Sequence, residues 1–253
     1  MRTSSNPAFR NLPGRGRGGA GFGPGRGAPD TARAGADQRP LTVDDVVLKT
    51  AITAGVALVT GVLTAISGLY VLVLPAFIIG LVVSLIIIFR QSSNPALVLT
   101  YSAAMGVALG GISGLFDRIY PGIAAQAIIG TAGVFLGMLV VYKTGAVRVT
   151  PRFQRWMMGA LIGVVVLVLV RFISEAFFGD ALGMGDGGFL AIAISLLIIG
   201  VAAFSLLLDF DAADQAIREG APASLSWYIA FGLMTTLVWL YIEILRLLSY
   251  FRE

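Results

Sequence analysis

The sequence predicts an all-α polytopic membrane protein: a seven-transmembrane helix bundle over residues 41–253, behind a disordered Arg/Gly-rich tail over residues 1–40. Three observations predict it. Hydrophobic residues make up 57% of the chain and charged residues only 13%, about half the share in a soluble domain. Seven apolar segments recur, each near the ~20 residues a helix needs to cross a bilayer core. Most of the charges outside the tail fall between those segments. Backbone polar groups in lipid must be paired within the segment, so such segments fold as helices.

The tail comes first. Arg2, Arg10, Arg15, Arg17, Arg26, Arg33 and Arg39 stand there against only Asp30 and Asp37. Large aliphatics are nearly absent, so the segment cannot bury enough surface to fold. It has no apolar run of the kind a signal peptide needs. Gly14-Arg15-Gly16-Arg17-Gly18-Gly19 resembles RNA-binding RGG tracts. A basic tail drawn to the lipid surface and setting orientation is the preferred reading, so nucleic acid is not an expected partner.

Thr42-Val43-Asp44-Asp45 reads as a helix start, with a hydroxyl followed three residues later by a carboxylate. The spans are expected at about 44–67, 70–89, 95–116, 122–142, 154–174, 188–208 and 225–249. Pro75 is expected to bend the second. Gly106-Gly110-Gly114, Gly133-Gly137 and Gly159-Gly163 repeat at four-residue spacing, which lets helix backbones approach closely. Helix packing is preferred over pore lining for all three sets.

Lys/Arg placement gives the orientation. The tail and Lys49, then Arg90, then Lys143, Arg148, Arg152 and Arg155 lie on alternate sides of the predicted spans and fall on one face. Asp117 with Arg118, then Glu175, Asp180 and Asp186, fall on the other. The expectation is a plasma-membrane protein with its N-terminus cytoplasmic and its C-terminus outside.

The chain contains no Cys and no His. Thiol chemistry, imidazole proton transfer and the usual zinc sites are thereby excluded. A bound metal would need oxygen ligands, which favours Ca²⁺ or Mg²⁺. No tightly bound cofactor is expected. Neither a nucleophile–base pair nor a phosphate-binding loop is present, and no Gly-x-Gly-Asp segment supports an intramembrane aspartyl protease, so an enzyme is not expected.

The ionisable residues at membrane depth are the functional candidates. Glu243 lies inside Trp239-Leu240-Tyr241-Ile242-Glu243-Ile244-Leu245-Arg246, where an ionised carboxylate costs about 2.5–3.5 kcal/mol. Arg246, three residues on, is a candidate partner. Tyr241 and Trp239 read as packing or interfacial-belt residues. Asp209 and Asp211 are expected to end the sixth span. Residues two apart on a helix diverge by ~200°, so one of them faces the bundle and the other faces away. Arg90 closes the second span, where snorkelling accounts for it. Arg171 and Glu175 read as a surface pair one turn apart.

These residues resemble the transmembrane Bax-inhibitor-motif (Bax inhibitor-1-like) family, in a bacterial member. Leu240-Tyr241-Ile242-Glu243-Ile244-Leu245-Arg246-Leu247-Leu248 resembles that family's Leu-Tyr-x-Asp-Ile-x-x-Leu segment. Leu208-Asp209 resembles its Tyr-Asp-x-x-Gln segment, and Arg90 its arginine ending the second helix. The resemblance covers about residues 44–252. It implies a pH-sensitive calcium leak gated by an acidic pair that shares a proton. By position the pair is Asp209 and Glu243, weak and transient ligands for Ca²⁺, with Arg90 competing and Asp211 and Arg246 as secondary candidates. Glu243 is one methylene longer than the family's Asp. On straight helices Asp209 lies ~30 Å, and Glu243 ~10–15 Å, from the outer face, so contact requires a tilted, recessed or partly unwound seventh span. The alternatives are a non-conducting regulator that binds other integral membrane proteins or proteases, and, ranked lower, a proton-coupled solute transporter.

Overall fold

A computed structural model of the chain describes residues 39–178 and 188–252, the side chains of residues 171, 172 and 174–178 excepted. The basic tail up to residue 38 and the acids Asp180 and Asp186 lie outside the described residues, as do the side chains of the Arg171–Glu175 pair. The rest is seven helices, each long and apolar enough to cross a membrane. They are α1 (Val43–Ser67), α2 (Val73–Arg90), α3 (Pro95–Ile119), α4 (Ile123–Thr144), α5 (Pro151–Phe178), α6 (Phe189–Arg218) and α7 (Leu225–Tyr250). The protein is a multi-pass integral membrane protein.

Local chemistry sets most of the helix ends. The Thr42 side chain accepts from the Asp45 N–H, and the Asp45 carboxylate accepts from the Thr42 N–H. This is the expected capping box, and it satisfies two donors that a helix start leaves unpaired. Gly68 closes α1 at φ 69°, a left-handed turn that glycine enters without a Cβ penalty. Pro75 lies at the start of its helix and not within it. A 3₁₀ turn at Tyr70–Leu72 breaks the chain first, and α2 starts at Val73. Pro75 thus sits in the first turn, where its missing N–H removes no helical bond. Asn94 caps α3 by accepting from the Ala96 N–H at 2.9 Å, with Pro95 as the first helical residue.

The sixth helix departs most from expectation. It does not end at residue 208 but continues to Arg218. Its last turns are amphipathic: Phe210 and Ala213 are buried in the main core, and Ala216 and Ile217 pack against it. Asp211, Asp214 and Gln215 fill the spaces between them. The spacing 210, 213, 217 is a helical stripe, which the density of charges hides from a hydropathy reading.

Burial separates a centre from a rim. Half of the apolar window of α3 and of α7 is buried, against 11% for α5. α7 packs on α1, α3, α4 and α6, while α5 packs chiefly on α6. The glycines of α3 explain its fit with α1. The Gly106 carbonyl comes within 3.1 Å of where a Cβ on Gly61 would stand. A Cβ on Gly110 would collide with the Gly61 backbone, and one on Gly106 with Ala57 and Thr60. The other two glycine sets do not pack in this way. Cβ atoms added at Gly133, Gly137, Gly159 or Gly163 would meet nothing within 4 Å.

Residues 39–41 are paired with residues 221–223, in the link between α6 and α7. Leu41 N–H donates to Ala221 O and Ala223 N–H to Arg39 O, both at 2.8 Å. The Arg39 guanidinium bonds the Asp45 carboxylate. Lys49 Nζ donates to Ser226 Oγ at 2.5 Å and Ala223 O at 3.1 Å, and lies 5.3 Å from the centre of the Trp227 ring.

Candidate functional site

α7 carries the site: it is half buried and packs on α1, α3, α4 and α6. Side-chain hydrogen bonds with α1, α3 and α6 fix it laterally, the first being that of Lys49 to Ser226. Ser113 Oγ of α3 and the Tyr241 hydroxyl lie 2.6 Å apart. Thr236 Oγ1 donates to Asp209 Oδ2 of α6 at 2.7 Å. Tyr241 is therefore an interior tie and not a belt residue, and Trp239 packs between the core and the α5–α6 contact.

Asp209 sits nine residues before the end of α6 at Arg218, or about 14 Å inside it. It is half-buried and turned towards α7. Asp211 faces the other way, lining a small cleft with Gln154, Met158 and Leu161 of α5. The two acids thus diverge as their spacing requires, and Asp209 is the inward one. Beyond them, Asp214 accepts from the Tyr142 hydroxyl at 3.2 Å and from Arg218 at 2.7 Å.

Glu243 is 3% exposed. Arg246 Nη1 donates to its Oε1 at 2.8 Å, across one turn of α7. Burial leaves a carboxylate little water, so a cation on the same helix supplies part of what the solvent would. Arg246 is itself about one-third exposed. Its reach out of the bundle is why the pair can be held at this depth.

The printed bonds give the acids different partners, Thr236 for Asp209 and Arg246 for Glu243. Thr236, at the level of Asp209, and Glu243 are seven residues apart on one helix, and seven residues return to nearly the same face. Glu243 therefore stands on the Asp209 side of α7, about 10 Å further along it. Extending α6 to Arg218 shortens the separation expected from straight helices. Among the described residues no group of three or more acidic side chains gathers. Arg90 is exposed at the end of α2 and makes no ion pair among the described residues. α2 packs chiefly on α3, and Arg90 is paired with neither acid among the described residues.

Thr236 is the functional-site residue that sequence reading missed. The signal was available: a hydroxyl two turns before Glu243, on the face that Glu243 marks.

The family model described as Bax inhibitor 1 like matches residues 6–253. The chain belongs to that family. The match begins within the basic tail, so the Bax inhibitor 1 like region is longer than residues 44–252, where the motifs lie. No curated protein matches the chain.

Proposed function

We propose that this Bax inhibitor 1 like protein is a pH-sensitive calcium leak in which Asp209 and Glu243 are the controlling acids. One observation carries the reading: a membrane-spanning helix keeps Glu243 only 3% exposed, on the face that an acid of the neighbouring helix also addresses. Intramembrane carboxylates are rare and mark ion or proton pathways by default. In the form described, the Thr236 hydroxyl clamps α6 to α7 through Asp209, and Arg246 occupies Glu243. This is the closed form. Sharing one proton between the acids belongs to a form in which α7 has shifted along α6. There the like charges cannot both ionise cheaply, and one proton or an arriving cation relieves the repulsion. Arg90 is the competing cation in that second form. Ca²⁺ is the transported ion and binds transiently, completing its six to eight oxygens with carbonyls and water.

The test is Ca²⁺ flux into dye-loaded proteoliposomes across a pH series. Asp209→Asn and Glu243→Gln each change the flux and its pH midpoint. In the double variant the midpoint shifts do not add, because the acids titrate as a unit. Wild-type flux equal to that of empty vesicles removes the channel reading.

A second reading is favoured by a different observation. Gly133 and Gly137 on α4, and Gly159 and Gly163 on α5, leave open faces of small residues. Such faces associate with other transmembrane helices. In this reading the protein is a non-conducting regulator of an integral membrane partner, and Glu243 serves the bundle alone. A stable membrane-protein partner that co-purifies equally well with Glu243→Gln, and is lost with Gly133→Leu, selects it.

A further inference from the structure

α1 and α4 both pack on α7 but scarcely on each other. Between them lies a cavity of about 850 Å³, within the ~300–1,000 Å³ typical of small-ligand sites. Its walls include Val47, Leu58 and Val62 of α1 and Ile128 and Leu136 of α4, with Leu237 of α7 on its floor. It follows α1 from Val43 to Ala65, ~33 Å of helix, and so matches the ~30 Å hydrocarbon core. A slot this long and this apolar is no path for an ion.

Most of its few polar groups are already engaged. Ser113 and Tyr241 bond each other, Thr131 donates to Ala127 O, and Tyr142 and Arg218 both bond Asp214. Two remain. Thr50 Oγ1 has no hydrogen-bond partner among the described residues, although Thr50 is only 8% exposed. Lys143 has no ion-pair partner among them. Both belong to the same end of the slot: Thr50 is seven residues into α1, and Lys143 is next to last in α4. A buried hydroxyl without a partner is costly, and it lines the space where a ligand would meet it.

We propose that this groove binds one anionic phospholipid, from the leaflet on the side where α1 begins. An acyl chain fills the apolar length, Lys143 pairs with the phosphate, and the Thr50 hydroxyl donates to an ester carbonyl further in. The site is independent of the calcium reading, since neither Asp209 nor Glu243 lines it.

The experiment is native mass spectrometry of the full chain, equilibrated in micelles with equal phosphatidylglycerol and phosphatidylcholine. Wild type retains one phosphatidylglycerol, preferred by about fivefold, the share one lysine supplies at an anionic surface. Lys143→Gln abolishes the preference. Thr50→Val weakens retention of both lipids. Ala54→Phe with Ala132→Phe fills the groove and removes the retained lipid. In case that variant fails to fold, a second measurement uses phospholipids brominated on the acyl chain. A single indole placed by Leu237→Trp, with Trp156, Trp227 and Trp239 changed to Phe, is quenched from the groove floor as strongly as one placed by Ile79→Trp on the outer face of α2. No retained lipid, equal retention of the two headgroups by wild type, or an unquenched indole at position 237 overturns the proposal.

Discussion

Thr236 joins α6 to α7 with one hydroxyl, so its value can be measured directly. Thr236→Val keeps the shape and removes the donor to Asp209. The expected loss is about 0.6–1.7 kcal/mol, the range found for hydrogen bonds between membrane helices, read by unfolding in mixed micelles. Thr236→Ser recovers most of it. Arg246 answers a different question. Arg246→Gln leaves Glu243 buried beside a weaker partner and costs about 1–3 kcal/mol. Combined with Glu243→Gln the cost falls, because no charge is then stranded, and a double-mutant cycle in the same assay reads the difference. Glu243 was legible in the sequence as a charge in an apolar run, and Arg246 as its neighbour by spacing. The Asp209 bond was not legible, because it depends on the axial offset between two helices, which no local pattern encodes.

At the scale of elements, four-residue glycine spacing turned out to be a property of backbone shape that the fold uses only in part. Gly106 and Gly110 are filled by α1, whereas Gly133 and Gly159 face open space. The sequence pattern is the same in each, and only the identity of the neighbour separates them. Gly110→Ala gains helix propensity of up to ~1 kcal/mol, but its methyl meets the Gly61 backbone, which cannot move aside. Set against an overpacking cost of about 1–3 kcal/mol, the gain leaves a net loss of up to ~2 kcal/mol. Gly133→Ala meets nothing, loses no packing and keeps the propensity gain. Thermal unfolding of the two variants beside wild type checks the contrast. The length of α6 teaches a related lesson. Hydropathy ends the span at residue 208, while the amphipathic stripe through Phe210, Ala213 and Ile217 carries the helix to Arg218.

For the whole molecule, span number and order were readable from apolar length alone, since the bilayer allows few other solutions. Which helix becomes central was not readable: α2 has the highest mean hydropathy of the seven yet lies at the rim, while α7 is less apolar and half buried. Orientation rests on Lys/Arg placement, and the chain has no cysteine of its own. Single cysteines introduced at Asp44 and Gln91 are expected to react with an impermeant maleimide only after the membrane is opened. One at Tyr120 reacts in intact cells. The pairing of residues 39–41 with 221–223 has one more effect. In the proposed slide of α7 along α6, that short connection is expected to move and open its two backbone bonds. The Leu41 and Ala223 amides then exchange with deuterium at the tempo of the slide. On that proposal, traffic in the last two helices is read out at the threshold of the first, and anything gripping that threshold is expected to brake it.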